Sequence, residues 1–181
     1  MFKRSVVLVV LLASAALAAE VVVFGDSWGA LAGTQLQEMF TKRGVDIDVY
    51  NGAIGGTTAR FWARDPDSLV DMVKENPDCK WVWLSIGGND AIFELALGRP
   101  IETILEDAIN NTRIFVDRLV EYDPTIQIVQ FGYDIVNFEM SVGCRTAGKV
   151  LIPWCNTTAC FNNEMFRLQY DYVEVRSPRA R

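Results

Sequence analysis

Three short islands of glycine and polar residues hold the side chains best suited to chemistry: Phe24-Gly25-Asp26-Ser27, Asn51-Gly52-Ala53-Ile54-Gly55-Gly56 and Gly87-Gly88-Asn89-Asp90. A serine on a sharp strand-to-helix turn presents its hydroxyl to a cleft, and its own amide lies at the positive end of the helix that follows. A glycine-rich loop lets bare backbone approach the same point, so the Gly56 amide can donate with no side chain in the way. Asn89, preceded by two glycines, can aim its side-chain NH2 at the same oxygen. One serine hydroxyl among three neutral donors is what acyl transfer through a tetrahedral intermediate requires. The chain contains no histidine, the residue that most often serves as general base in such chemistry.

The elements around the islands must bring them together. Glu20 to Phe24 is an apolar, β-branched run without polar alternation, the pattern of a strand buried on both faces of a parallel sheet. Further strands are expected over 45–50, 80–86 and 125–131. Helices are expected over 30–43, where Leu31, Leu36, Met39 and Phe40 share a face, over 68–75, and over 101–122. The order β-α-β-α-β-α-β predicts an α/β fold with a doubly wound parallel sheet and right-handed crossovers. Gly56 follows Ser27 by 29 residues and Asn89 follows Gly56 by 33, close to the ~30 residues of one strand-crossover unit. Each island therefore falls just past the carboxyl end of a strand, on the sheet edge where open α/β sheets bind ligands.

In residue type and order the three islands resemble the SGNH, or GDSL-type, hydrolases. Phe24-Gly25-Asp26-Ser27 is similar to that family's first block, with Trp28 where its name-giving leucine would stand. Asn51 to Thr57 is similar to the second block and Gly87 to Asp90 to the third. The likeness covers roughly residues 20 to 135. It implies a flavodoxin-like three-layer sandwich, Ser27 as nucleophile, and an oxyanion hole made by the Ser27 amide, the Gly56 amide and the Asn89 side chain. It also implies hydrolysis of carboxylic or O-acetyl esters on a small ester, acylated carbohydrate or lipid, with no cofactor or metal. The fourth block of that family, a carboxyl-terminal Asp-x-x-His that supplies base and orienting carboxylate, has no counterpart. Neither Asp134 nor Lys149 has motif support as a substitute base. The chain is accordingly expected to be poorly active and to represent a carboxyl-truncated or mis-spliced form of a longer esterase. The alternative is a secreted carbohydrate- or lipid-binding relative without turnover.

Composition agrees with a single secreted domain. Lys3 and Arg4 precede an apolar run from Val6 to Leu12, and Ala16-Leu17-Ala18 offers a cleavage site, so residues 1–19 read as a signal peptide. The run is short for a bilayer span of ~20 residues. Residues 20–175 are assigned to the hydrolase-type domain, irregular and cysteine-containing from about 134, and 176–181 to a basic tail. Net charge is −6, and −8 once Lys3 and Arg4 leave with the leader, so no basic surface remains for nucleic acid. Cys79, Cys144, Cys155 and Cys160 read as disulfide-forming, with at least one bridge within 144–160. Asn110 and Asn156 begin N-glycosylation sequons.

Several polar and aromatic residues have structural readings. Asp26 is expected to cap its turn and Asp90 the helix that follows Asp90. Asp65, Asp67 and Asp71 read as a solvated turn, because the spacing lacks the glycine and terminal glutamate of a calcium loop. Trp81 and Trp83 are expected in the sheet packing, and Trp28 and Trp62 near the cleft.

Overall fold

The first strand, β1 (Val21–Gly25), is buried along its whole length, as its unbroken apolar sequence requires. The computed structural model describes residues 18–130, 154–164 and 167. The leader through residue 17, the segment 131–153 with Asp134, Cys144 and Lys149, and the tail lie outside the described residues. β1 pairs in parallel with β2 (Val49–Asn51) on one side and β3 (Trp81–Ser85) on the other, and β4 (Gln127–Gln130) pairs in parallel with β3. The strand order is β2-β1-β3-β4. Helices carry every crossover: α1 (Ser27–Lys42), then α2 (Ala59–Ala63) and α3 (Ser68–Glu75), then α4 (Gly88–Ala96) and α5 (Ile101–Tyr122). The molecule is thus an α/β fold with an all-parallel sheet.

Successive strand residues point to opposite faces, and each face has its own cover. Val22, Phe24, Val82 and Leu84 pack with Trp62 of α2, Leu69, Val70 and Val73 of α3, and Phe115 and Leu119 of α5. Phe24 is the centre of this layer, its ring 4.3 Å from Trp62 and 5.3 Å from Phe115 between centroids. The opposite face is covered by α1. There the hydrophobic spacing is misleading: Leu31 and Met39 are 66 % and 41 % exposed, whereas the buried positions are Gly29 and Gly33. The reason is close approach. A Cβ on Gly33 would lie 2.6 Å from Asn51 Cγ, and Asn51 Nδ2 donates to Ala30 O at 2.8 Å. The helix therefore sits on the sheet by its smallest residues, with Leu31 and Met39 turned outward and Leu36 and Phe40 half-buried.

β2 starts at Val49 rather than Val45 because side chains take the backbone groups before it. Gln37 Nε2 donates to Ile47 O, the Asp48 N–H donates to Glu20 Oε2 at 2.9 Å, and the Val49 N–H donates to Gln37 Oε1. The bond from Asp48 also holds the Glu20 carboxyl below its ordinary pKa. Similarly, β4 begins at Gln127 because the Asp123 carboxylate accepts from both the N–H and the hydroxyl of Thr125, closing a turn just before it. The helices α2 and α4 have no counterpart in the sequence pattern. The first is a single short turn capped by Thr58 Oγ1, which accepts from Phe61 N–H. The second begins inside the third glycine island, where Gly87-Gly88 reads as loop.

Cys155 and Cys160 form a disulfide with Cα atoms 5.4 Å apart, as expected for the 144–160 region. Cys79 departs from the pairing expectation: it is a free thiol whose Sγ donates to Trp81 O, and burial raises its pKa. No helix among the described residues is long and apolar enough to cross a membrane.

Candidate active site

The site begins where β1 meets β3. Gly25 adopts φ +135°, and a Cβ there would lie 1.7 Å from Ser85 O, so both conformation and space demand glycine. The next residue closes the turn. Asp26 N–H donates to Ser85 O at 2.9 Å, while the Asp26 carboxylate accepts from Trp28 N–H at 3.0 Å and from Ser85 Oγ at 3.2 Å. Asp26 is thus the helix cap expected of it, almost fully buried. It sets Ser27 as the first residue of α1, half-exposed at the positive end of a helix.

The second island reaches the same place by extending the sheet. Gly52 N–H donates to Val23 O and Ile54 N–H to Gly25 O, each at 2.9 Å, so the loop runs alongside β1 to its end. A Cβ on Gly55 would lie 3.8 Å from Ser27 Cβ. Gly56 has φ +81° with open space around its missing Cβ, so conformation alone calls for glycine there. The third island joins the second: Asn89 Nδ2 donates to Thr57 O at 2.9 Å. An amide nitrogen has two hydrogens, and this bond uses one of them. Ser27 and the Gly55-Gly56 loop are therefore adjacent, and Asn89 is tied to the residue that follows Gly56.

Thr57 is the residue that sequence reasoning left without a role. It is buried; its hydroxyl bonds Gly25 O at 3.0 Å and Ile54 O at 2.8 Å, and accepts from Trp62 Nε1 at 3.0 Å. Its position directly after two glycines was the available signal. Trp62 is consequently not a cleft residue: it is 3 % exposed, packed on Phe24 and spent on Thr57. Trp28, beside Ser27, is 45 % exposed. Replacing Thr57 by valine keeps the volume but strands the buried indole N–H, with an expected loss of about 1–3 kcal/mol of stability. Urea unfolding of Thr57→Val against Thr57→Ser checks this, since serine restores the hydroxyl; equal midpoints for wild type and valine would refute it.

Asp90 also departs from expectation. It lies within the first turn of α4, yet its Oδ2 accepts from Ala59 N–H at 2.8 Å and so caps α2. Burial raises its pKa, and the amides of Ala59 and Arg60 oppose that rise. With Asn89 on Thr57 and Asp90 on Ala59, two neighbouring residues pin the second loop to the third. The aspartates at 65, 67 and 71 belong to the surface, Asp67 pairing with Arg118 and Asp71 with Lys74 at 2.9 Å each. What the arrangement offers chemically is a hydroxyl at a helix amino terminus beside a glycine-lined backbone loop and a side-chain amide.

Neither the family models nor the curated proteins contain a match to this chain. Solved structures do. A protein from Streptococcus pneumonia named for a platelet activating factor matches with TM-score 0.53 at 15 % identity, over 90 % of this chain and 64 % of that one. A gut microbial diltiazem-metabolizing enzyme matches with TM-score 0.55 at 21 % identity, over 86 % of this chain and 34 % of that one. An acetyl xylan esterase matches with TM-score 0.47 at 16 % identity, over 84 % and 73 %. The chain spans less than two thirds of the length of the first two. What these two likenesses establish is the fold alone, an all-parallel α/β sheet clad in helices.

Proposed function

We propose that this chain is a secreted ester hydrolase of SGNH type, a single domain over 20–175 behind a leader at 1–19, acting on carboxylic or O-acetyl esters. Ser27 is the nucleophile, and the Ser27 amide, the Gly56 amide and the Asn89 side chain receive the oxyanion. The observation that carries this reading is the contact of the Gly55 position with Ser27, together with the 2.9 Å bond from Asn89 to Thr57. These join all three islands at one sheet edge. The Cys155–Cys160 disulfide supports an oxidising compartment.

One composition fact favours a second reading. Without histidine, Ser27 has no ordinary base, and a binding protein that retains the pocket without turnover needs none. Prolonged incubation with a fluorophosphonate, followed by peptide mass spectrometry, separates the two. The hydrolase reading expects a slow adduct on Ser27 that is absent from Ser27→Ala. A Ser27 no more reactive than the other serines of the chain would leave only the binding protein.

A further inference from the structure

Trp154, Cys155 and Asn156 are exposed, buried and exposed in turn, and Cys155 is bridged to Cys160. We infer that Asn156 is a modification site carrying an N-linked glycan, the first N-acetylglucosamine ring of which stacks on the Trp154 indole. The inference goes beyond ester hydrolysis and rests on the proposed secretion, since only a chain entering a secretory pathway meets an oligosaccharyltransferase.

The loop is built to present both side chains. Asn156-Thr157-Thr158 is an acceptor sequence, with its threonine two positions after the asparagine. Alternation of burial along the chain puts Trp154 and Asn156 on the same outer side, while Cys155, 0 % exposed, anchors the stretch between them. Just beyond, Thr157 Oγ1 accepts from Cys160 N–H at 3.2 Å and Thr157 O from Phe161 N–H at 3.1 Å, capping the helical residues 158–164. Asn156 therefore stands on a surface turn held from both sides, by a disulfide before it and a helix cap after it.

Trp154 supplies the platform. It is 61 % exposed, more than Trp28 at 45 % or Trp81 at 42 %. An indole face is electron-rich, whereas the C–H bonds on one side of a pyranose ring are electron-poor, so the two attract face to face. A ring linked to Asn156 Nδ2 enters on the side that Trp154 occupies. The sequon at Asn110 lacks this arrangement: it lies within α5, and the residue two positions before it is Ala108, 1 % exposed. Asn110 and Thr112 also project about 200° apart around that helix.

In the transfer, Asn156 Nδ2 forms a bond to C1 of a lipid-pyrophosphate-linked oligosaccharide. The C1–O bond breaks, the lipid pyrophosphate leaves with the bonding electron pair, and one Nδ2 proton passes to a base of the transferase. Thr158 Oγ1 is buried in the folded chain, so transfer precedes closure of the turn at 158–164.

Glycopeptide mass spectrometry on the full chain, expressed with its own leader in cells limited to high-mannose glycans, tests this. The peptide holding Asn156 should carry a glycan that peptide N-glycosidase removes. In hydroxyl-radical footprinting, with Trp28 as internal reference, Trp154 of the glycosylated protein should oxidise at least about twofold more slowly than after that removal, the least that such a ring contact is worth. Trimming with endoglycosidase H, which leaves the first ring in place, should preserve the protection. These comparisons use the folded native protein, so no variant has to fold. A chain that reaches the medium, glycosylated at Asn156, only behind a foreign leader defeats the secretion reading and upholds the site. An unmodified Asn156 behind either leader, or a Trp154 oxidised equally with and without the first ring, overturns the inference.

Discussion

A protein of this sequence is expected to turn over an activated ester such as p-nitrophenyl acetate about a millionfold more slowly than a Ser-His-Asp enzyme, the cost of losing the imidazole of a hydrolytic triad. The physical reason is proton transfer. A serine hydroxyl attacks a carbonyl only as its proton leaves, and the accepting group works best with a pKa near the operating pH. Among 181 residues there is no histidine, and exposed carboxylates with pKa values near 4 are poorly matched to a hydroxyl proton. The proposed oxyanion donors do not depend on that base. A residual acceleration of about 10³–10⁴ over water is therefore expected from oxyanion stabilisation and binding alone. Steady-state hydrolysis by wild type and Asn89→Ala measures both parts, the variant being expected to lose about 10²-fold of the residual rate. A kcat of roughly 1 s⁻¹ or more, within the ordinary enzymatic range, would show that another group takes the serine proton.

The second large effect is structural. Gly25→Ala is expected to cost more than about 4 kcal/mol, a loss seen only when a specific mechanism operates. Here two mechanisms coincide: φ +135° is strained for an L-residue, and the added methyl would lie 1.7 Å from the Ser85 carbonyl oxygen. That oxygen cannot retreat, because it belongs to β3 and accepts from Asp26 N–H. The Asp26-Ser27 turn and the β1–β3 pairing would have to separate together. Gly56→Ala is the matched comparison, since φ +81° is equally left-handed but the space is open, and the expected cost is only about 1–2 kcal/mol. Soluble yield and urea midpoints of the two variants decide the matter. A Gly25→Ala protein that unfolds at the wild-type midpoint would mean that the turn can relax without leaving the sheet.

The comparison of these glycines shows where sequence reasoning reaches its limit. That the three islands follow strands, and that the strands are parallel, was legible because an apolar β-branched run and a 30-residue recurrence are local patterns. Asp26 as a cap was legible for the same reason, since a cap is defined within three residues of chain. Asp90 was not, because its partner Ala59 is 31 positions away and no local rule names it. The face of α1 was misjudged on similar grounds: Leu31 and Met39 obey helical spacing, but the distance between helix and sheet is set by Asn51 on another element.

By itself, then, the amino-acid sequence determined the α/β order, the three glycine islands and the lack of histidine among these 181 residues, all of which reside in residue type and short-range spacing. Only the tertiary structure decided how the islands are held together. Thr57 joins the end of β1, Trp62 and Asn89 through one hydroxyl and one carbonyl, and Asp90 anchors α2 across the sheet edge. These are hydrogen bonds between residues far apart in the chain, and burial makes each of them obligatory once the strands align.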